Sequence, residues 1–364
     1  MLQALGPLVG VRVVEFAGIG PSPFAAMLLA QSGAEVLRIE RSGHADYLPI
    51  PARFDFLNRG KTRIALDLKD DNGLGRALDI IAKADILLEG YRPGVMERLG
   101  LGPEICHARH PGLVYGRMTG WGQTGPYAGE AGHDINYIAT SGALNAIGPK
   151  DGAPVPPVNL VGDFAGAVYL CFGVAAALVS ARRTGKGQVV DAAMSDSTAH
   201  LMTFLMGLQQ AGMWSLQRGD NEADGGFPFY GVYRTRDGRY VAVAAAEMKF
   251  RRALLDGMGL DPALAKQAFD KAAWPLVRLQ LEAAFLTRDR DEWCALLAGK
   301  DACVSPILDM TEAPGDPHAV ARKTFLRDAE GAVAPAPAPR FSDGSGFGPQ
   351  RSAEEMLELW GLAG

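Results

Sequence analysis

The stretch VRVVEFAGIGPSPFAAMLLAQSGAEVLRI, residues 11–39, decides the fold. Val11 to Phe16 is rich in β-branched residues and reads as a strand. Gly18 to Pro23 turns the chain, Phe24 to Gln31 reads as a helix, and Glu35 to Ile39 as the next strand. The alternation continues with a helix from about Asn72 to Lys83, a strand at Ile86 to Leu88, a helix after Pro93 and a strand at Leu113 to Arg117. Val189 to Ala193 adds a further strand and leads into a helix from Ser195 to Ala211. Strands separated by helices predict an α/β fold with a largely parallel, doubly wound sheet.

The grammar changes past Gly219 to Pro228, a Gly-rich and acidic stretch that reads as a linker. Phe229 to Thr235 and Arg239 to Ala244 flank Arg236-Asp237-Gly238, and Asp-Gly between two alternating runs is a hairpin signal. Helical segments near Phe250 to Met258, Leu276 to Leu286 and Arg290 to Leu297 complete a smaller α+β domain. Ala332 to Pro339 alternates Ala and Pro, which predicts an extended strap rather than a folded element. Ala353 to Leu362 is again helical. The expected division is a large domain over 1–195, a helical linker over 196–228, the small domain over 229–318 and a strap with its C-terminal segment over 319–364.

Composition narrows the function. With 48% hydrophobic residues in 364, the chain can bury a sizeable core. A net charge of −5 with mixed signs gives no reason to expect nucleic acid or an anionic membrane as partner. Cys106, Cys171, Cys294 and Cys303 are scattered without a CxxC pair or a metal-ligand cluster, so a reduced, cytoplasmic protein is expected. Met1 to Gly10 lacks the pattern of a signal peptide. Phe164 to Ala181 is uncharged over the length at which a membrane span begins, but its Ala and Gly content predicts a buried core helix.

The chemistry concentrates at Gly132-His133-Asp134-Ile135-Asn136-Tyr137 and Val161-Gly162-Asp163-Phe164. Each places an ionisable side chain directly after a glycine and near a helix start, where a His and an Asp can face one carbon from opposite sides. The plainer readings are a structural His and a helix-capping Asp163, with Asp134 as the other N-cap. His133 stands out from His44, His107, His110, His200 and His318 because the loop Thr119 to Pro126 before it is glycine-rich, letting a ligand approach the backbone. The turn Ala17-Gly18-Ile19-Gly20-Pro21 lacks the third glycine of a dinucleotide fingerprint. Arg38, Arg41, Arg59, Lys61, Lys69, Arg92 and Arg98 recur near strand ends, either as solvated surface or as a set for a phosphorylated ligand. Spacing alone does not join Glu247 to His133.

Longer motifs carry a resemblance. Ser32 to Arg41, Asn58 to Lys61, Glu89-Gly90-Tyr91-Arg92-Pro93-Gly94 and Gly187 to Asp191 resemble the family III CoA-transferase superfamily. Met118 to Pro126, Gly132 to Tyr137 and Asn159 to Phe164 resemble its racemase branch, whose members act on α-methylacyl-CoA thioesters. The resemblance runs through Asp301 to Pro306 and implies an interlocked homodimer, with the chain's end returning to the large domain. It implies that His133 and Asp163 are the opposing acid/bases and that Glu247 hydrogen-bonds the His, in cis or across the dimer. Gly132, Asp134, Ile135, Asn136 and Tyr137 would line the thioester, and Arg41, Leu66, Asp67, Leu68, Lys69, Gly90, Tyr91, Arg92 and Arg98 would contact the CoA moiety. Met248 departs from relatives that carry proline there.

The reaction so implied is inversion of a 2-methylacyl-CoA by two-base proton transfer through an enolate held by the Asp134 amide, with no cofactor beyond the CoA of the substrate. The alternative is CoA transfer between acids, with Asp163 as nucleophile. Transferase relatives usually carry an aromatic residue at the position of His133. A non-catalytic acyl-CoA-binding relative is the third reading.

Overall fold

The computed structural model describes residues 6–41 and 50–362, so His44 lies outside the described residues. The chain forms two compact units. The first runs to Ser141 and adds Pro157–Leu201 and Lys323 onward; the second takes Gly142–Pro156 and Met202–Arg322.

The first unit is built on strands β1 (Arg12–Phe16), β2 (Glu35–Glu40), β3 (Thr62–Ala65), β4 (Ile86–Glu89), β5 (Val114–Thr119) and β6 (Val189–Ala193). They form one sheet in the order β3-β2-β1-β4-β5-β6, and every pairing is parallel. Helices α1 (Pro21–Gln31), α2 (Asp71–Ile81), α3 (Val95–Arg98), α4 (Pro103–Arg109), α5 (Asp134–Thr140), α6 (Ala165–Thr184) and α7 (Met194–Leu201) surround it, with a C-terminal helix over Ala353–Leu359.

Strand periodicity explains the layering. Val13, Val36, Ile86, Leu88 and Val114 face Ala25, Leu29, Leu170 and Val174 of α1 and α6. Their neighbours Val14, Leu37, Leu87 and Tyr115 face the opposite layer, with Leu78 and Ile81 of α2 and Met356, Leu357 and Trp360 near the C-terminus. Trp360 donates its indole N–H to Glu35 at 2.9 Å, fastening that terminal segment to β2. The strand order reverses between β1 and β4, the switch point at which open α/β sheets hold their ligands.

Several local expectations change. β3 was not expected as a strand, because its sequence Thr-Arg-Ile-Ala is short and puts a charge at the sheet edge. The helix expected over Ser195 to Ala211 is interrupted at Met202, giving α7 and α8 (Thr203–Gln210) in different units. Val333–Pro335 of the Ala/Pro strap pairs antiparallel with Phe325–Arg327, so the strap is partly a strand. α6 buries one face only: Gly166, Ala167, Leu170, Val174 and Ala177 are buried, whereas Val168, Phe172 and Val179 are 52%, 73% and 68% exposed. By length and composition α6 with the turn before it is apolar enough to cross a membrane, at a mean hydropathy of 2.0.

The second unit contains the antiparallel sheet β7 (Tyr230–Arg234), β8 (Tyr240–Ala244) and β9 (Val304–Pro306), in that order. Gly238 takes the positive φ of +79° in the Asp-Gly turn between β7 and β8. Helices α9 (Met248–Met258), α10 (Leu264–Gln267), α11 (Trp274–Phe285) and α12 (Arg290–Leu297) cover the sheet around Tyr233, Val243, Leu254, Leu281 and Trp293.

Candidate active site

Three turns of the first unit meet beside the switch point. The turn from β1 to α1 brings Gly20 (φ +69°) against Asp163, so close that a Cβ on Gly20 would lie 3.3 Å from Asp163 Oδ2. The loop after β4 meets the start of α1, since a Cβ on Gly90 would lie 3.2 Å from that of Ser22. The Gly18-Ile19-Gly20 turn therefore presents its glycine to a carboxyl group of the same unit.

Asp163 sits in a π-type turn, Leu160–Phe164, directly before α6. The plainer reading of Asp163 as a helix cap does not hold, because α6 begins at Ala165 with Phe164 in the cap position. Its Oδ2 instead accepts a hydrogen bond from Asn159 Nδ2 at 3.2 Å. Phe164 packs on Phe24 of α1, with ring centroids 4.8 Å apart, which anchors the turn from its other side. Burial raises the Asp163 pKa above the ordinary carboxyl value; the Asn159 bond opposes this, Asp134 adds to it, and His133 opposes it.

His133 occupies the N-cap of α5 with extended backbone, and its own N–H donates to Asn136 Oδ1 at 3.1 Å. That bond is one half of a capping arrangement and leaves the imidazole exposed on the single chain. Asp134 is the first residue of α5, not its cap, and its side chain turns inward: it is 6% exposed. Tyr137, one turn on, donates its hydroxyl to the Gly132 carbonyl and meets Trp121 edge-on at 4.8 Å. A Cβ on Gly120 would lie 2.1 Å from the Tyr137 ring and one on Gly132 2.8 Å from it. The glycines before His133 thus make room for Tyr137, where the loop had been expected to admit a ligand. The Tyr137 phenol is pushed up by burial and by the Asp163 charge, against the pull of Arg92.

The residues expected at the CoA moiety follow the carboxyl ends of β2, β3 and β4. Arg41, Asp67, Lys69, Gly90, Arg92 and Arg98 are exposed. Leu66, Leu68 and Tyr91 are half-buried against the core layer shared with α2. Asp67 Oδ1 accepts the Lys69 N–H at 3.0 Å, shaping the bend between β3 and α2. Two members of the basic set have other work. Lys61 Nζ is fully buried, 2.7 Å from Glu15 Oε2 and bonded to the Pro23 carbonyl at 2.9 Å. Arg38 is 1% exposed and paired with Glu40 and Glu15. Neither can reach a phosphate from there. Burial raises Glu15 and lowers Lys61 in that pair, while each holds the other's charged form.

Glu247 belongs to the second unit, exposed at the N-cap of α9. Arg251, one turn on, donates to the Ala246 carbonyl at 2.5 Å and lies over the rings of Phe227 (4.7 Å), Phe269 (5.0 Å) and Phe229 (5.8 Å). Sequence reasoning missed Asn159, Gly20 and Gly162 as parts of the Asp163 environment. Only the four-residue spacing from Asn159 to Asp163, at a helix start, offered a signal for the first.

With this arrangement in hand, comparison with known proteins is decisive at the family level: residues 8–353 match the profile of CoA-transferase family III. The chain belongs to that family. It is 44% identical over 334 residues to the α-methylacyl-CoA racemase of Mus musculus, covering 92% of this chain and 86% of the relative. It is 42% identical over 335 residues to the α-methylacyl-CoA racemase of Homo sapiens, covering 91% and 86%. The crystal structure of a CaiB/BaiF family protein from Brucella suis superposes with a TM-score of 0.81 at 26% identity, covering 98% of this chain and 100% of that one. The six-stranded parallel α/β architecture is thus that of the family III proteins.

Proposed function

We propose that this family III protein is a racemase that inverts the α-carbon of 2-methylacyl-CoA thioesters. The observation that carries the reading is the pairing of two different acid/bases at one place. His133, exposed at the start of α5, directly precedes Asp134, whose carboxylate accepts the backbone N–H of the half-buried Asp163 at 2.8 Å, so the two groups are held on adjoining turns. The identity to the racemases of mouse and human supports the same reading.

The steps follow from what each group can hold. His133 takes the α-proton from one face, and the electron pair of the C–H bond moves into the thioester as an enolate. The first amides of a helix have no partner within it, and the Asp134 N–H, at the first position of α5, donates to the enolate oxygen. Asp163, its proton favoured by burial, delivers that proton to the opposite face. The roles reverse for the other enantiomer. One proton leaves and one arrives, so the balance needs no electron acceptor. Glu247, from the same chain or the partner subunit, orients the imidazole and stabilises its cationic form. Ile135, Asn136 and Gly132 border the thioester, and Arg41, Leu66–Lys69, Gly90–Arg92 and Arg98 hold the CoA.

The dimer belongs to the same proposal. Val168, Phe172 and Val179 recur at helical spacing on the uncovered face of α6, an apolar stripe that a second copy of the chain would bury. The four cysteines are unpaired, as a reduced cytoplasmic setting requires.

The test is α-proton exchange in D₂O on a single enantiomer of 2-methylhexanoyl-CoA, followed by NMR and chiral analysis. Deuterium incorporation with inversion, lost in His133→Ala and Asp163→Ala, is expected. Movement of CoA to an added free acid without exchange would give the site to nucleophilic transfer by Asp163 instead.

A further inference from the structure

The side chain of Asp134 lies between the backbones that carry the two proposed bases. It follows His133 directly, and its Oδ1 accepts the N–H of Gly162 at 2.7 Å and of Asp163 at 2.8 Å. Only glycine at 162 admits this approach, because a Cβ there would lie 2.5 Å from the same oxygen. Oδ2 is buried and has no hydrogen-bond partner among the described residues. The helix start does not need this carboxylate, because His133 already holds the cap, and burying a half-satisfied carboxylate costs free energy. The pattern of bonds shows what the carboxylate does: it ties the first residue of α5 to the turn that holds Asp163.

We propose that the Asp134 side chain is a positioning residue that sets the separation of His133 and Asp163, so that both face one α-carbon. The inference rests on the two-base reading and is distinct from the part assigned to the Asp134 amide. A proton can leave and return on the His133 face with that base alone. Inversion needs the second base at the right distance as well. Loosening the brace therefore uncouples the two outcomes, and exchange with retention persists while inversion falls.

The measurement follows both outcomes on a single enantiomer of 2-methylhexanoyl-CoA in D₂O, in the full-length protein and three variants. Asp134→Ala removes the acceptor. Its inversion rate is expected to fall ~10²-fold, the cost of an ångström-scale misplacement, with the exchange-to-inversion ratio rising about tenfold or more. Asp134→Asn keeps an oxygen for both amides and is expected to hold the ratio within about twofold of the parent. Asp134→Glu keeps the charge but adds a methylene, and is expected to uncouple as Ala does. Should Asp134→Ala fail to fold, the Asn and Glu variants carry the comparison. A Glu variant with the parent's ratio, or an Asn variant as uncoupled as Glu, would overturn the brace. If His133→Ala or Asp163→Ala inverts at the parent's rate, the two-base reading itself has failed. If both lose inversion while Asp134→Glu behaves as the parent, only the brace has.

Discussion

Replacing Gly162 by alanine tests the central contact from the side opposite to Asp134. The new Cβ would lie 2.5 Å from Asp134 Oδ1, 2.9 Å from its Cγ and 3.2 Å from Ile138 Cγ2. Relaxing the first of these to an ordinary non-bonded separation of ~3.5 Å requires a movement of about 1 Å. The hydrogen bonds at 2.7 and 2.8 Å would then stretch beyond useful length. A hydrogen bond to a charged acceptor contributes ~1.5–3 kcal/mol, so losing both sets an upper bound of ~3–6 kcal/mol, with about 3 kcal/mol expected after partial relaxation. For a chain of this size that corresponds to a Tm lowered by roughly 4 °C. Asp163 moves with its turn, and a displacement of this order costs ~10²-fold in a positioned reaction. Thermal unfolding by circular dichroism and α-proton exchange by NMR read the two effects separately. A Gly162→Ala protein melting within about 1 °C of the parent, and inverting substrate at the parent's rate, would refute the contact and the reasoning built on it.

Other perturbations give separate checks. Burial raises the folded-state pKa of Asp163, so its contribution to stability is complete at low pH and is lost as pH rises through the folded value. Asp163→Asn is therefore expected to melt higher than the parent at pH 8 and alike at pH 3 to 4, while losing inversion; a lower Tm at pH 8 would contradict the sign. Asp134 contributes to raising Asp163, so Asp134→Asn is expected to shift to lower pH the alkaline loss of rate in the direction that needs Asp163 protonated; an upward shift would count against it. Trp360 is 2% exposed and bonded to Glu35, so Trp360→Ala is expected to cost ~3–5 kcal/mol in urea unfolding; a change below about 1 kcal/mol would show that the terminal segment is not fastened there. Phe172→Asp places a charge in the uncovered stripe of α6 and is expected to give monomers by light scattering if that face joins two chains; an unchanged mass would remove it from the interface.

What the sequence by itself determined follows from local physics. Strands such as Arg12–Phe16 and Ile86–Glu89 are buried in the sheet between helical layers, so their apolar, β-branched runs and the helices between them dictate a parallel sheet. The Asp-Gly turn at 237–238 specifies its hairpin through the positive φ that glycine supplies. His133 and Asp163 were legible as candidates because each follows a glycine near a helix start, and long motifs around them resemble one family. Edge strand β3 was not legible, because four residues with a central Arg have no periodicity to read. Lys61 and Arg38 looked like phosphate ligands until their burial against Glu15 and Glu40 became visible, since a basic residue's partner is a long-range fact. The same holds for the site. Asp134 and Asp163 are separated by 29 positions, and no local signal says that the carboxylate of one accepts the amide of the other. Nor does anything local say that Gly20 and Gly162 are required by the carboxylates they approach. The sequence determined which groups can move a proton; the tertiary structure decided which of them share a site, because that depends on contacts between turns far apart along the chain.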